Sequence, residues 1–241
     1  MRHAFLLVLA VLVLCLVSPA SAGVITIDAR SDVWAAGQVG PLPDGLVPPY
    51  ISFAAGSVLW VQFDSITGTV DCGGVDPLGC TAHSGDGFPF NGGGTNINAP
   101  ANYGLSGIDY IGRIMFLIGV FLTNSPPSGA NPADYLIYTD ALASGASFSP
   151  ALGQLFFIGD GQGSSGIQRF IPPSGATRLY LGFADGQPNF GSATTPATPN
   201  SYDDNSGQMA AAYDLVTPEP GSIFLMGLGV AALALLRRRR A

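Results

Sequence analysis

The chain has 241 residues and a net charge of −7, contains no lysine, and has a single glutamate among its sixteen acidic residues. These counts exclude chemistry that needs a lysine Schiff base or a pair of glutamates. Charged residues make up only 10% of the chain, and glycine (33) together with proline (19) accounts for about a fifth of it. Such a composition favours a turn-rich β protein over a helical bundle.

The N-terminal segment has the pattern of a secretory signal peptide. Arg2 and His3 precede an apolar run over residues 4–17, and the small residues Ala20 and Ala22 follow at the spacing of a signal-peptidase site. We therefore predict a signal helix in residues 1–22, with cleavage after Ala22. A retained N-terminal anchor is the alternative, although the apolar run is short for a membrane span.

The C-terminal end contains three elements in a fixed order. Pro218-Glu219-Pro220 comes first, an uncharged run over residues 221–236 follows, and the chain then carries Arg237, Arg238, Arg239 and Arg240. As a transmembrane helix, the uncharged run would reach about 24 Å, and the arginines would stay on the cytoplasmic side. A permanent single-span anchor needs the same helix and arginines but gives no reason for the Pro-Glu-Pro motif.

This tail resembles the PEP-CTERM sorting signal in its motif at 218–220, its apolar run and its terminal arginines. The resemblance implies export across the inner membrane of a Gram-negative bacterium, transient anchoring there by the tail, and processing by an exosortase, with signal peptidase acting at the other end. It also implies a final location at the cell surface or in the extracellular matrix, among exopolysaccharide and biofilm components. The predicted organisation is a signal peptide (1–22), a body (23–217) and a sorting signal (218–241).

The body is strongly acidic. Its 195 residues are enough for one domain, and its fifteen aspartates against four arginines leave it with a net charge of −11. Nucleic acid is disfavoured as a partner because phosphate neutralisation needs clustered basic residues. Cations are favoured as partners of so acidic a body, and calcium is the first candidate.

Hydrophobic residues in the body alternate with period two, which predicts strands rather than helices. In 178–183, Leu179, Leu181 and Phe183 should face the core as in a half-buried strand, and 50–53 should pair with 58–63 around the turn at 54–57. Segments 86–101 and 186–201 are expected to be long loops. We predict an all-β antiparallel β-sandwich, in jelly-roll form, from the strands 24–27, 50–53, 58–63, 114–122, 154–158, 166–171, 178–183 and 209–216.

Two cysteines, Cys72 and Cys80, lie in the body. In an exported chain they are expected to form a disulfide, and the segment between them is rich in turn-forming residues. A metal-thiolate site is the competing interpretation. It would need further ligands, and His83 is the only histidine in the body.

The sequence of the body contains few of the residues and motifs that catalysis requires. The body has one histidine and no Gly-x-Ser-x-Gly elbow between a strand and a helix. The glycine-rich segment 159–166 lacks the lysine of a phosphate-binding loop. No spaced acidic pair lies on one strand, so we expect no catalytic activity and keep a glycoside hydrolase as a minor alternative.

One group of oxygen-bearing residues indicates a cation site. Asp185 follows the predicted strand 178–183, while Asp204 and Asn205 precede the last strand. If these two strands are neighbours, the three side chains converge on a partial calcium site, because calcium takes carboxylate, amide and carbonyl oxygens. The alternative is an ordinary turn, since Asp, Asn and Gly all suit tight turns.

Segments 32–38, 55–59, 171–185 and 204–207 resemble the PA-IL-type calcium-dependent galactophilic lectins. The resemblance implies a galactose-binding-like sandwich in which Asp185, Asp204, Asn205 and a backbone carbonyl near Cys72 hold calcium, and the ion binds sugar hydroxyls. The sugar-selecting histidine segment of that family is not reproduced. The predicted function is calcium-dependent binding of extracellular polysaccharide, and the alternative is a structural matrix protein with a calcium-stabilised sandwich that binds no glycan.

Overall fold

The computed structural model describes residues 21–38, 44–73, 80–98, 103–128, 133–187 and 196–217. The predicted signal helix (1–22) lies outside these ranges up to residue 20, and its last two residues, Ser21 and Ala22, begin a strand instead of ending a helix. The Pro-Glu-Pro motif, the predicted transmembrane helix and the four terminal arginines also lie outside the described ranges. In the described part of the chain, no helix is long and apolar enough to cross a membrane.

The described ranges contain mostly strands and only short helical turns. The strands are β1 (Ser21–Asp28), β2 (Tyr50–Ser52), β3 (Trp60–Asp71), β4 (Phe88–Ile97), β5 (Ile108–Ile114), β6 (Leu117–Leu122), β7 (Leu136–Tyr138), β8 (Ser147–Phe148), β9 (Leu155–Phe157), β10 (Gln162–Gly163), β11 (Gly166–Ile167), β12 (Arg169–Phe170), β13 (Arg178–Phe183), β14 (Gly186–Gln187), β15 (Thr198–Pro199) and β16 (Ser206–Val216). The helical elements are a 3₁₀ turn at Val33–Ala35, the helix α1 at Asp140–Ala143, and a 3₁₀ turn at Tyr202–Asp204.

The strands form three sheets and two small ribbons. Sheet A has the order β1-β16-β3-β12-β8, sheet B the order β2-β13-β6-β9, and sheet C the order β4-β5-β7, while β10-β11 and β14-β15 are two-stranded ribbons. Pairing is antiparallel except between β8 and β12 and between β5 and β7. The predicted all-β antiparallel sandwich is thereby confirmed.

The main hydrophobic core lies between sheets A and B. Strands β3 and β16 of sheet A contribute Phe63 and Met209, and strands β6 and β13 of sheet B contribute Phe121 and Leu181. All four side chains have no exposed surface. Burial of this kind is the main favourable contribution to folding, at about 25 cal/mol per Å² of apolar surface.

A second core covers the other face of sheet B. It contains Trp34, Phe116 and Tyr180 together with Tyr110 of sheet C. Sheet B is therefore a middle layer, and every residue of β6 is buried. Strand β13 was expected to be half-buried, but this expectation is wrong, because Tyr180 packs into the second core while Leu179 packs into the first.

Several predicted details of the strand pattern are wrong. Strand β2 pairs with β13 and β3 pairs with β16, so 50–53 and 58–63 lie in different sheets rather than in one hairpin. The predicted strand 114–122 breaks at Met115, whose φ of 49° is left-handed. Most of the predicted loop 86–101 is strand β4, and its register shifts between Pro89 and Gly94.

Cys72 and Cys80 form a disulfide directly after β3. The pairing removes the thiolates that a metal site would have used. His83 instead has its two ring nitrogens within hydrogen-bond distance of the carbonyl oxygens of Thr81 (2.8 Å) and Met115 (3.0 Å).

We expect the double substitution Cys72→Ser with Cys80→Ser to lower the free energy of unfolding by about 2.5 kcal/mol, the chain-entropy value for so short a loop. Denaturant unfolding of the oxidised protein and of the variant measures the difference. Adding a reductant to the oxidised protein should reproduce the loss and leave the variant unchanged. Equal stability of the two proteins would contradict a structural role for the bridge.

Candidate metal site

Two of the predicted calcium ligands, Asp185 and Asn205, are in contact, although their strands are not neighbours in one sheet. Asp185 follows β13 in sheet B, and Asn205 precedes β16 in sheet A, so the two strands are not neighbours within one sheet. The side chains approach across the core instead. Asn205 Nδ2 donates a hydrogen bond of 2.7 Å to Asp185 Oδ2.

Both of these side chains are buried. Asp185 is 2% exposed and Asn205 is 5% exposed. The Gly186 amide donates to Asp185 Oδ1 at 2.7 Å, while Asn205 Oδ1 is buried with no hydrogen-bond partner. An amide oxygen without a donor is expensive to bury, and a cation would provide the interaction that it lacks.

Asp204 lies at the exposed rim of the same site. A Cβ added to Gly73 would come within 2.8 Å of Asp204 Cγ, so the backbone next to Cys72 runs directly beside this carboxylate. Gly73 also has a φ of +91°, which favours glycine. The disulfide therefore anchors a segment that borders the site.

Two further carboxylates belong to the same region, and sequence reasoning did not identify either of them as a ligand. Asp32 is 1% exposed; its Oδ1 accepts from the Trp34 amide at 2.9 Å, whereas its Oδ2 has no partner. Asp44 Oδ2 accepts from the Ser201 amide, and its Oδ1 is likewise buried without a partner. In the sequence both look like turn and cap residues, so only their burial distinguishes them.

The electrostatics of the region are unfavourable in the absence of a cation. Burial raises the pKa of Asp185 well above its ordinary value, with the charges of Asp204 and Asp44 adding to the effect, although the hydrogen bond from Asn205 opposes it. Burial also raises the pKa of Asp32 to about 6, again with Asp44 adding to it. Over the described ranges, the ion pairs are Arg30 with Asp28 and Arg113 with Asp140, so no arginine there neutralises these buried carboxylates.

The donor atoms suit calcium, a hard cation that prefers six to eight oxygen ligands. Three buried oxygens without partners belong to Asn205, Asp32 and Asp44. No set of three or more His, Cys, Asp or Glu side chains within the described residues is arranged to hold a metal. An ion bound by Asp185 and Asp204 would therefore need the Asn205 amide and backbone carbonyls to complete its coordination.

The fold and the charge distribution define an acidic all-β body whose last strand, β16, leads directly into the C-terminal tail. Residues 216–240 match the PEP-CTERM protein-sorting motif. The chain thus carries a PEP-CTERM sorting signal, as its sequence indicated, and the motif implies export and a membrane-anchored sorting signal of a Gram-negative bacterium that is processed by an exosortase. No curated protein and no solved structure matches this chain.

Proposed function

We propose that the exported body is a calcium-stabilised β-sandwich of the cell surface or extracellular matrix, with Asp185, Asp204 and Asn205 as the calcium ligands. The observation that carries the proposal is the buried contact between Asp185 and Asn205 beside an amide oxygen that has no partner. The proposal assigns the body no catalytic activity, and turnover of polysaccharide by a glycoside hydrolase reaction would contradict it.

Calcium suits this location because no arginine among the described residues forms an ion pair with its carboxylates. An ionised carboxylate that is buried without an opposite charge is unstable relative to the solvated group. A divalent cation turns the repulsion among Asp185, Asp204 and Asp44 into attraction. It would also join the ends of sheets A and B, because Asp185 follows a strand of one and Asn205 precedes a strand of the other.

Because Asp185 and Asn205 are buried, an ion bound to them is better placed to stabilise the fold than to bind a ligand from solvent. Calcium-dependent binding of extracellular polysaccharide is the second candidate function. The exposure of Asp203 and Asp204 supports this second function. An ion that contacts Asp204 would border solvent, where sugar hydroxyls have access to it.

We expect calcium to raise the melting temperature of the full-length protein in detergent after EDTA treatment. Saturation at 100 times Kd adds about 2.7 kcal/mol to stability, which corresponds to several degrees for a body of this size. Calorimetric titration with calcium chloride should give a binding heat, and Asp185→Asn should abolish both responses. The matched control is Asp64→Asn on an exposed position of β3, which should keep both.

The same samples separate the two candidate functions. A calcium-dependent melting temperature without any glycan-array signal supports the structural role, whereas an array signal that EDTA removes supports calcium-dependent glycan binding. A melting temperature insensitive to both calcium and EDTA, with no binding heat, would rule out both.

A further inference from the structure

A second polar site lies away from the candidate calcium ligands. It is a pocket of about 140 Å³, and none of its lining residues belongs to the acidic region around Asp185. Residues from three strands (β5, β9 and β10), the helix α1 and the loop before β4 meet there. Its lining includes the polar residues Asp86, Tyr110, Arg113, Asp140 and Gln162 and the apolar Phe157.

The polar groups of the pocket are held in place by one another. Tyr110 donates a hydrogen bond of 2.6 Å to Asp140 Oδ1, and Arg113 Nε lies 3.7 Å from the same oxygen. Arg113 Nη1 donates to the Asp86 carbonyl oxygen at 3.4 Å, and Asp86 Oδ1 accepts from the Asp160 amide at 2.9 Å. A ligand would therefore meet groups that are already oriented, which lowers the entropic cost of binding.

The charges of the pocket restrict the chemistry of the ligand. Asp86 and Asp140 carry two negative charges against one positive charge on Arg113, so uronates and phosphates are repelled. A cation is disfavoured as well, because Arg113 already lies between Asp140 and the backbone of Asp86. A neutral hydroxylated molecule meets no such penalty, since carboxylates accept hydrogen bonds from its hydroxyls while Arg113 and Gln162 donate to them.

The shape of the pocket agrees with that chemistry. The side chain of Asp140 is 81% exposed and forms an open rim, whereas Phe157 is only 4% exposed and adds an apolar group to the lining. Burial and the neighbouring Asp140 carboxylate raise the pKa of Tyr110, so its hydroxyl stays protonated and acts as a donor. A volume of about 140 Å³ admits one sugar ring rather than an extended oligosaccharide.

We propose that this pocket binds a single neutral sugar residue of an extracellular polysaccharide, with Arg113 and Gln162 donating to its hydroxyls and Asp86 and Asp140 accepting from them. This site would give the exported body contact with matrix glycans without calcium. The inference goes beyond the proposed calcium role and does not depend on it.

Saturation-transfer NMR of the full-length protein in detergent and EDTA tests the proposal with glucose, galactose and mannose, and with glucuronate as an anionic probe. We expect transfer to at least one neutral hexose and none to glucuronate. Asp140→Asn and Arg113→Gln should each weaken binding about tenfold or more, the effect of losing a hydrogen bond to a charged group. Because Asp140 is exposed, its substitution should leave the fold intact, which the melting temperature checks.

The matched control is Asp64→Asn, which should bind the hexose as the parent protein does. The absence of transfer to any neutral hexose would overturn the proposal, as would a preference for glucuronate or binding that both pocket substitutions leave unchanged. Binding that appears only with calcium and is lost in Asp185→Asn would also overturn it, since the sugar would then lie at the calcium site. The melting response of Asp140→Asn to calcium should equal that of the parent, so the two proposals can fail separately.

Discussion

The substitution Phe170→Ala is expected to destabilise the body by about 3–5 kcal/mol, the range found when a buried aromatic is truncated. Phe170 has no exposed surface. Its ring centroid lies 5.7 Å from Phe63 and Phe148 of sheet A, and 5.5 Å from Phe156 of sheet B. Removing the ring leaves a cavity between the two sheets, and each of the three neighbouring aromatic rings loses its contact with Phe170.

Denaturant unfolding, followed by circular dichroism, measures this loss. The control is Val24→Ala on β1, where the side chain is 72% exposed and the expected change is within about 0.5 kcal/mol. The variant Phe170→Leu refills most of the cavity and should recover a large part of the stability. Equal stability of Phe170→Ala and Val24→Ala would mean that sheets A and B do not pack through this cluster.

Lowering the pH from 7 to 4.5 in calcium-free buffer is expected to stabilise the fold, the reverse of ordinary acid denaturation. The pKa of Asp32 is about 6 in the fold against an ordinary 3.8. Stability from its protonation is fully present below the unfolded pKa and is lost as the pH rises through 6, so Asp32 alone contributes about 2 kcal/mol over this interval. Asp185, whose pKa is also raised, acts in the same direction.

Neighbouring carboxylates reinforce the effect, because the charge of Asp44 raises the pKa of both Asp32 and Asp185 and that of Asp204 raises the pKa of Asp185. The hydrogen bond from Tyr202 opposes it by lowering the pKa of Asp32. Asp28 acts in the opposite direction, because its hydrogen bond with Arg30 lowers its pKa, but that pair is exposed and its contribution is small.

Thermal melting at intervals between pH 7 and pH 4.5 checks this expectation. Asp32→Asn keeps the acceptor for the Trp34 amide and removes the charge, so it should raise the melting temperature at pH 7 and reduce the pH dependence. Asp64→Asn should behave as the parent protein does. A melting temperature that falls steadily on acidification would show that the carboxylates at this end of the sandwich are not buried in ionised form at pH 7.

The strand pattern of the sequence predicted the class of fold but not which strands pair. Segment 178–183 is a strand with the predicted bounds, because its β-forming residues and flanking turns are local signals. Burial of Tyr180 on the opposite face was missed, since the layer that covers it comes from distant parts of the chain. Strand β4 was read as a loop because Pro89 and the glycines that follow weaken the strand signal, yet antiparallel pairing with β5 outweighs that weakness.

At the candidate metal site, too, the sequence predicted some of the residues but not how the strands bring them together. Asp185 and Asn205 were identified from chemistry and position, and they are in contact. The sequence allowed this contact only if their strands were neighbours, but the strands belong to two sheets that face each other. Asp32 and Asp44 could not be identified from the sequence, because an aspartate at a turn has the same local pattern whether it is solvated or buried.

By itself, the sequence determined that the chain carries a sorting signal behind an acidic all-β body. These features depend on composition and on short contiguous segments, and the signal at 216–240 needs no contact with the body to be recognised. The tertiary structure decided which carboxylates are buried away from water and which polar side chains come together in one site. Asn205 meets Ala29 across 176 residues of sequence, and Arg113 meets Asp86 across 27. Such contacts depend on how the sheets stack, because the hydrophobic burial that drives stacking is non-directional and specifies no partner in advance.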